Sequence, residues 1–278
     1  MGLKLELVKD FQWFLTPLVT SSIFVASPSL AATLASSVGE LSLHNINQIP
    51  QDVATLTDTN TFATAEIGST TALAQAQAEF TVGASTSASL NSDSTTFGDG
   101  VIYQGIADSI SQVFGSFSVE ANQFFTLDFT ASLNLEASID ALQSESASAI
   151  GNLSLFLIDS TTQSIYESFS LFSYLDSQGD NDYLDYQASQ NITFTLDSIG
   201  TSFGGTQEVM NASVEGSLEH LFTSSTNLTL LAVTRNQASV SSVKTPESSN
   251  PLGLLSFFSL IGISFGVKSI KRQAVKLR

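Results

Sequence analysis

Four carboxylates and an amide fall within ten residues of one another: Asp176, Asp180, Asn181, Asp182 and Asp185, with Gly179 among them. Calcium takes about six to eight hard oxygens from a flexible loop, and this stretch can supply several of them. It is not an EF-hand, because the glycine is misplaced and Gln187 stands where the closing glutamate would be. Asp176, Asp180, Asp182 and Asp185 are therefore the candidate calcium ligands. The competing reading is an acidic hairpin turn that its charge keeps solvated. Asp93 and Asp99 around Gly98 form a weaker version of the same pattern.

Nucleophilic chemistry is poorly provided for. A serine nucleophile needs a base, and the histidines are His44 and His220 alone. No cysteine offers a thiolate. A paired-carboxylate glycosidase would find acids in plenty. It would find few groups to hold a sugar, since the one tryptophan is Trp13 and basic side chains are scarce. The expectation is a protein that is not an enzyme and needs no cofactor, unless calcium binds the acidic loop.

The elements that would position these residues read mainly as strands. Phe125, Leu127, Phe129, Ala131, Leu133 and Leu135 alternate strictly, which marks a half-buried strand. Runs at 150–158, 165–175, 191–196, 208–222, 228–234 and 238–243 repeat the pattern, alternating apolar residues with Ser or Thr. The stretch 62–90 also alternates, through Phe80, Val82, Ala84 and Thr86. The turn residues of 91–100 predict a loop. Ile102, Ile106, Ile110, Val113 and Phe114 are spaced as a helical stripe, so a helix is expected over 101–119, with two strands as the alternative. The segment 32–61 is polar and weakly patterned and reads as flexible. The predicted fold class is mainly β, an antiparallel β-sandwich of jelly-roll or Ig-like type over 62–244, with an N-terminal signal helix and a C-terminal transmembrane helix.

Both ends of the chain carry sorting information. Lys4 and Lys9 precede a largely apolar run, and Ser29-Leu30-Ala31 presents small residues where a signal peptidase reads them. The signal peptide is expected to be 1–31, with cleavage after Ala31. At the other end, Leu252 to Val267 is an uncharged stretch that would make about 24 Å of helix, a marginal membrane span. Lys268, Lys271, Arg272, Lys276 and Arg278 follow it and should stay on the cytoplasmic side.

Thr245-Pro246-Glu247-Ser248-Ser249, then Leu252-Gly253-Leu254-Leu255, an apolar helix and a basic end resemble the PEP-CTERM sorting tail of bacteria in its cyanobacterial form. Pro246, Glu247 and Ser248 match the sorting motif, and Ser248 stands where that family has a second proline. The resemblance covers residues 245–278. It implies an exosortase-type sorting protease as partner, membrane anchoring before sorting, and delivery to the cell surface or extracellular matrix. It implies no activity for the domain carried.

Charge narrows the partners further. Between Ala32 and Glu247 there are 24 acidic residues against Arg235 and Lys244, a net charge of −22. Such a surface repels phosphate backbones, so nucleic acid is excluded, and it attracts divalent cations. An exported chain without cysteine must be held by packing or ions rather than disulfides. The expected function is a non-enzymatic surface or matrix protein. The alternative is a calcium-dependent adhesion or glycan-binding module for extracellular polysaccharide, with Tyr183 or Tyr186 near the ligand.

Overall fold

A computed structural model of the chain describes residues 32–179 and 181–243. The described residues form ten strands: β1 (Ala32–Ile46), β2 (Asp52–Thr81), β3 (Thr86–Val119), β4 (Gln123–Ser138), β5 (Glu145–Asp159), β6 (Ile165–Asp176), β7 (Tyr183–Ala188), β8 (Ile192–Ser202), β9 (Gln207–Phe222) and β10 (Thr226–Ser242). All pairings are antiparallel and belong to one sheet, ordered β7-β6-β5-β10-β3-β1-β4-β9-β8, with β2 on the other edge of β3. The expected mainly β, antiparallel architecture is what the structure has.

The 34-residue β3 is the spine. Its first half pairs with β1 and its second half with β10, on the same edge, while β2 runs along the opposite edge for nearly the whole length. The β2–β3 hairpin therefore folds over in its middle, and the two wings of the sheet come face to face. Gly68 and Gly100 are paired at the fold and hold φ of 128° and 119°, a conformation that side chains with a Cβ avoid. Next to them Tyr103 lies on Gly98, where an added Cβ would come within 2.1 Å of the ring.

The space between the wings is filled in two ways. Near the bend it is polar and closely approached. Ser37 donates to Asn236 Oδ1 at 2.6 Å and Ile150 O at 2.7 Å, Asn236 Nδ2 donates to Ser92 O at 2.9 Å, and Ser94 donates to Asn236 O at 2.9 Å. Ser37, Ser92, Ser94 and Asn236 are fully buried, and each has its partners, as buried polar groups require. Farther out the filling is apolar: Leu127, Phe129, Leu133 and Val214 on one wing meet Leu153, Leu155, Phe169 and Leu171 on the other. Phe129 and Phe169 meet at 4.7 Å between ring centroids. Each such side chain contributes about 1.5–3 kcal/mol by leaving water.

Three expectations are corrected. Residues 101–119 are not a helix but the second half of β3. A spacing of four places Ile102, Ile106, Ile110 and Phe114 on one face of a strand just as it does on a helix, because four is a multiple of two. Residues 91–100 are not a loop, since Ser92, Ser94 and Thr96 point into the polar core and are fully buried. The segment 32–61 is neither flexible nor outside the domain: β1 pairs with both β3 and β4 near the middle of the sheet. The sheet therefore draws on residues 32–61 as well as those from 62 on. The predicted signal helix and cleavage site at Ala31, and the predicted tail with its transmembrane helix, lie outside the described residues. Among the described residues no helix is long and apolar enough to cross a membrane.

Candidate functional site

The strands run end to end, so their connections gather at two poles. One pole holds the bend of β3, the start of β1, the end of β10, and the β4–β5, β6–β7 and β8–β9 connections. The other holds the β3–β4, β5–β6, β7–β8 and β9–β10 connections. Between β6/β7 and β8/β9 the wings face each other without hydrogen-bonding as strands, and this seam carries a buried glutamate at each pole.

At the first pole the chain leaves β6 through Asp176, whose backbone carbonyl accepts from Gly179 N–H at 3.1 Å. Asp176 Oδ1 accepts from Gln178 N–H at 3.1 Å, and Tyr174 donates to its Oδ2 at 3.2 Å. Asp182, one residue before β7, folds back so that its Oδ1 accepts the Asp176 N–H at 2.8 Å. Its carboxylate neighbours that of Glu208, an inward-facing residue of β9 that is 1% exposed. Glu208 Oε1 accepts from Gly204 N–H at 3.1 Å. Asp182 Oδ2 and Glu208 Oε2 are both buried and neither has a donor. Burial first, and then the Asp182 carboxylate, push Glu208 up to about 7. Burial and the Asp176 charge likewise push Tyr174 up to about 12.

At the second pole Glu167 of β6 is 3% exposed and accepts three donors. Asn191 Nδ2 donates to Oε1 at 2.6 Å, His220 Nδ1 lies 2.6 Å from the same oxygen, and Ser189 donates to Oε2. Burial works to raise the Glu167 carboxyl, but the donors from Ser189, Asn191 and His220 outweigh it and hold it below its ordinary value. His220 lies against Phe222 and Tyr166, with ring centroids 4.4 Å and 5.2 Å away. Glu167 orients the imidazole as an acid orients a catalytic histidine, yet Ser189 binds the acid and not the base. The arrangement clasps the wings together and carries no nucleophile on the histidine.

The polar outer face of β4, β8 and β9 also carries a shallow cleft of about 560 Å3. His44, Asp128, Thr130, Thr193, Glu215 and Ser217 supply its polar lining, with Phe129 and Phe194 between them.

Of the expected calcium ligands, the structure brings Asp176 and Asp182 together. Asp185 stands on exposed β7, opposite Phe172, and accepts from Gln187 Nε2 at 3.1 Å. Asp180 lies outside the described residues, as do Pro246, Glu247 and Ser248 of the sorting motif. Among the described residues no group of three or more His, Asp or Glu side chains is placed to hold a metal ion, so Asp182 and Glu208 stand as a pair. Asp93 and Asp99 sit on β3, where burial raises Asp93 against the bond from Thr95. Tyr183 packs on Phe172 and Tyr174 on the outer face of β6, and Tyr186 packs on Phe194.

Sequence reading missed Glu208 and Glu167. Glu208 does interrupt an otherwise apolar inward row with Met210, Ala212 and Val214, and a carboxylate in such a row is the signal that could have found it. Comparison with family models, with curated proteins and with solved structures returns no match.

Proposed function

We propose that this chain is an exported, non-enzymatic surface or extracellular-matrix protein, delivered by its PEP-CTERM-like tail. The observation that carries this reading is that both ends of the described domain sit at one pole. Ala32 opens β1, and its N–H donates to Asp140 Oδ2 at 2.5 Å. Thr33 and Tyr103 share a hydrogen bond of 2.5 Å between their hydroxyls, and Ser242 at the end of β10 donates to Val101 O at 3.1 Å. The segment read as a signal peptide and the segment read as a sorting tail therefore join the domain at the same pole. A domain tethered there holds its opposite pole away from the membrane. Cleavage after Ala31 would place the new Ala32 ammonium beside the Asp140 carboxylate, an ion pair that the uncut chain lacks.

The facing wings are read as a β-sandwich joined through β3, serving as cargo. The test is fractionation of the full chain against a form ending at Glu247. The full chain is expected in the membrane fraction and then at the surface, with the truncated form released from the membrane step. Identical fractionation of the two forms sinks the reading.

A second reading, glycan binding, is favoured by the hydroxyl- and carboxylate-lined cleft beside His44 and Glu215. Retardation of the protein on acidic-polysaccharide or neutral-glycan gels supports it if Glu215→Ala removes the retardation.

A further inference from the structure

From the neighbouring carboxylates of Asp182 and Glu208, each with one buried oxygen that has no donor, we infer that the first pole of the seam is a divalent-cation site bridging the two wings, with calcium the ion of best-matched chemistry. Like-charged carboxylates are held apart in folded chains unless a proton or a cation lies between them. Here both are fixed by other bonds: Asp182 through its Oδ1 to the Asp176 N–H, and Glu208 through its Oε1 to the Gly204 N–H. Each is left with one buried, unpartnered oxygen. Glu208 is 1% exposed, so water does not make good the missing donor. A hard dication accepts oxygen ligands from both, with bound water and backbone carbonyls completing the shell. The acid-rich surface raises the local concentration of such ions.

The site differs from the loop that the sequence suggests. Its ligands come from opposite wings, Asp182 from the entry of β7 and Glu208 from β9, so ion binding clamps the seam instead of ordering a hairpin. Asp176 is a supporting residue that positions Asp182 through its backbone, and Asp185 plays no part. The inference is independent of the export reading.

The test uses terbium as a calcium probe on the full-length chain. Tyr174, hydrogen-bonded to Asp176 and within reach of the Asp182 charge, is placed to sensitise terbium emission. Saturable emission that millimolar calcium displaces is expected. Glu208→Gln should weaken terbium binding by about tenfold or more, while Asp185→Asn leaves it unchanged. Far-ultraviolet circular dichroism checks that each variant keeps its strands. Asp182→Asn serves as the second ligand variant if the first fails to fold. Calcium should also raise the melting temperature of the parent chain over that in EDTA, and should not raise that of a ligand variant. Emission equal in parent and ligand variants, or a parent melt indifferent to calcium, overturns the inference and leaves a shared proton between the two carboxyls.

Discussion

The two ends of the seam solve one problem with opposite chemistry. Both bury a glutamate between β6/β7 and β8/β9. At the far pole Glu167 faces Ser189, Asn191 and His220, so every buried oxygen has a donor from the chain itself. At the near pole Glu208 faces Asp182, and each contributes an oxygen with no donor. A buried carboxylate stabilises a fold only when its partners are complementary. The far clasp is complete as built, whereas the near one lacks donors that the inferred cation would replace. One chain thus holds a fastening complete in itself and one that a cation would complete, at opposite ends of the single strand β6.

The largest effect separating them should come from Glu167→Ala, which empties a buried position and leaves the half-buried Ser189 and His220 and the exposed Asn191 without their acceptor. A loss of about 3 kcal/mol is expected, seen as a fall in melting temperature of roughly 6–12 °C for a domain of this size. Glu208→Gln should do the reverse when EDTA removes cations. The amide that replaces Oε2 donates to Asp182 Oδ2, and a gain of about 1 kcal/mol at pH 8 is expected. A loss there would mean that the Asp182–Glu208 pair is not weakened by its missing donors.

Acid should distinguish the clasps more gently. The folded Glu167 carboxyl lies below its unfolded value of 4.5, so below that pH the unfolded chain binds more protons than the folded one. Its stabilisation is complete above about pH 4.5 and fades as pH falls through the lowered folded value. Glu167→Gln should flatten that part of the pH profile of the melt. The smallest effect is expected for Asp185→Asn, within about 0.5 kcal/mol, because that side chain is exposed and touches neither clasp.

What could be read in advance followed burial on one face. Phe125 to Leu135 alternates because one side of β4 meets the core and the other meets water. The first half of β2 is exposed on both sides, so Asp52–Glu66 carries no sustained alternation of apolar with polar residues, although Thr recurs at 55, 57, 59 and 61, and the strand is hard to see by burial period. Ser92, Ser94 and Thr96 look like turn residues because the core beside the bend admits only small side chains; Ser92 and Ser94 find Asn236 and Ser109 there, while the Thr96 hydroxyl has no partner. Asp176 and Asp182 are neighbours in the chain and announce themselves as a cluster. Glu208 meets them only through the folding of one wing onto the other, which leaves no local trace.

The position of β10 has a consequence in time. It is the last strand of the sheet, and it fills the gap between β3 and β5. Until it arrives, β5, β6 and β7 have no strand joining them to the rest, and Asn236 has not reached Ser37, 199 residues earlier. Pairings so remote form slowly, because the closure entropy is spent before the contacts repay it. A chain threaded through a membrane from its amino end would thus cross while still unclosed, and would snap shut only once its final strand had come through.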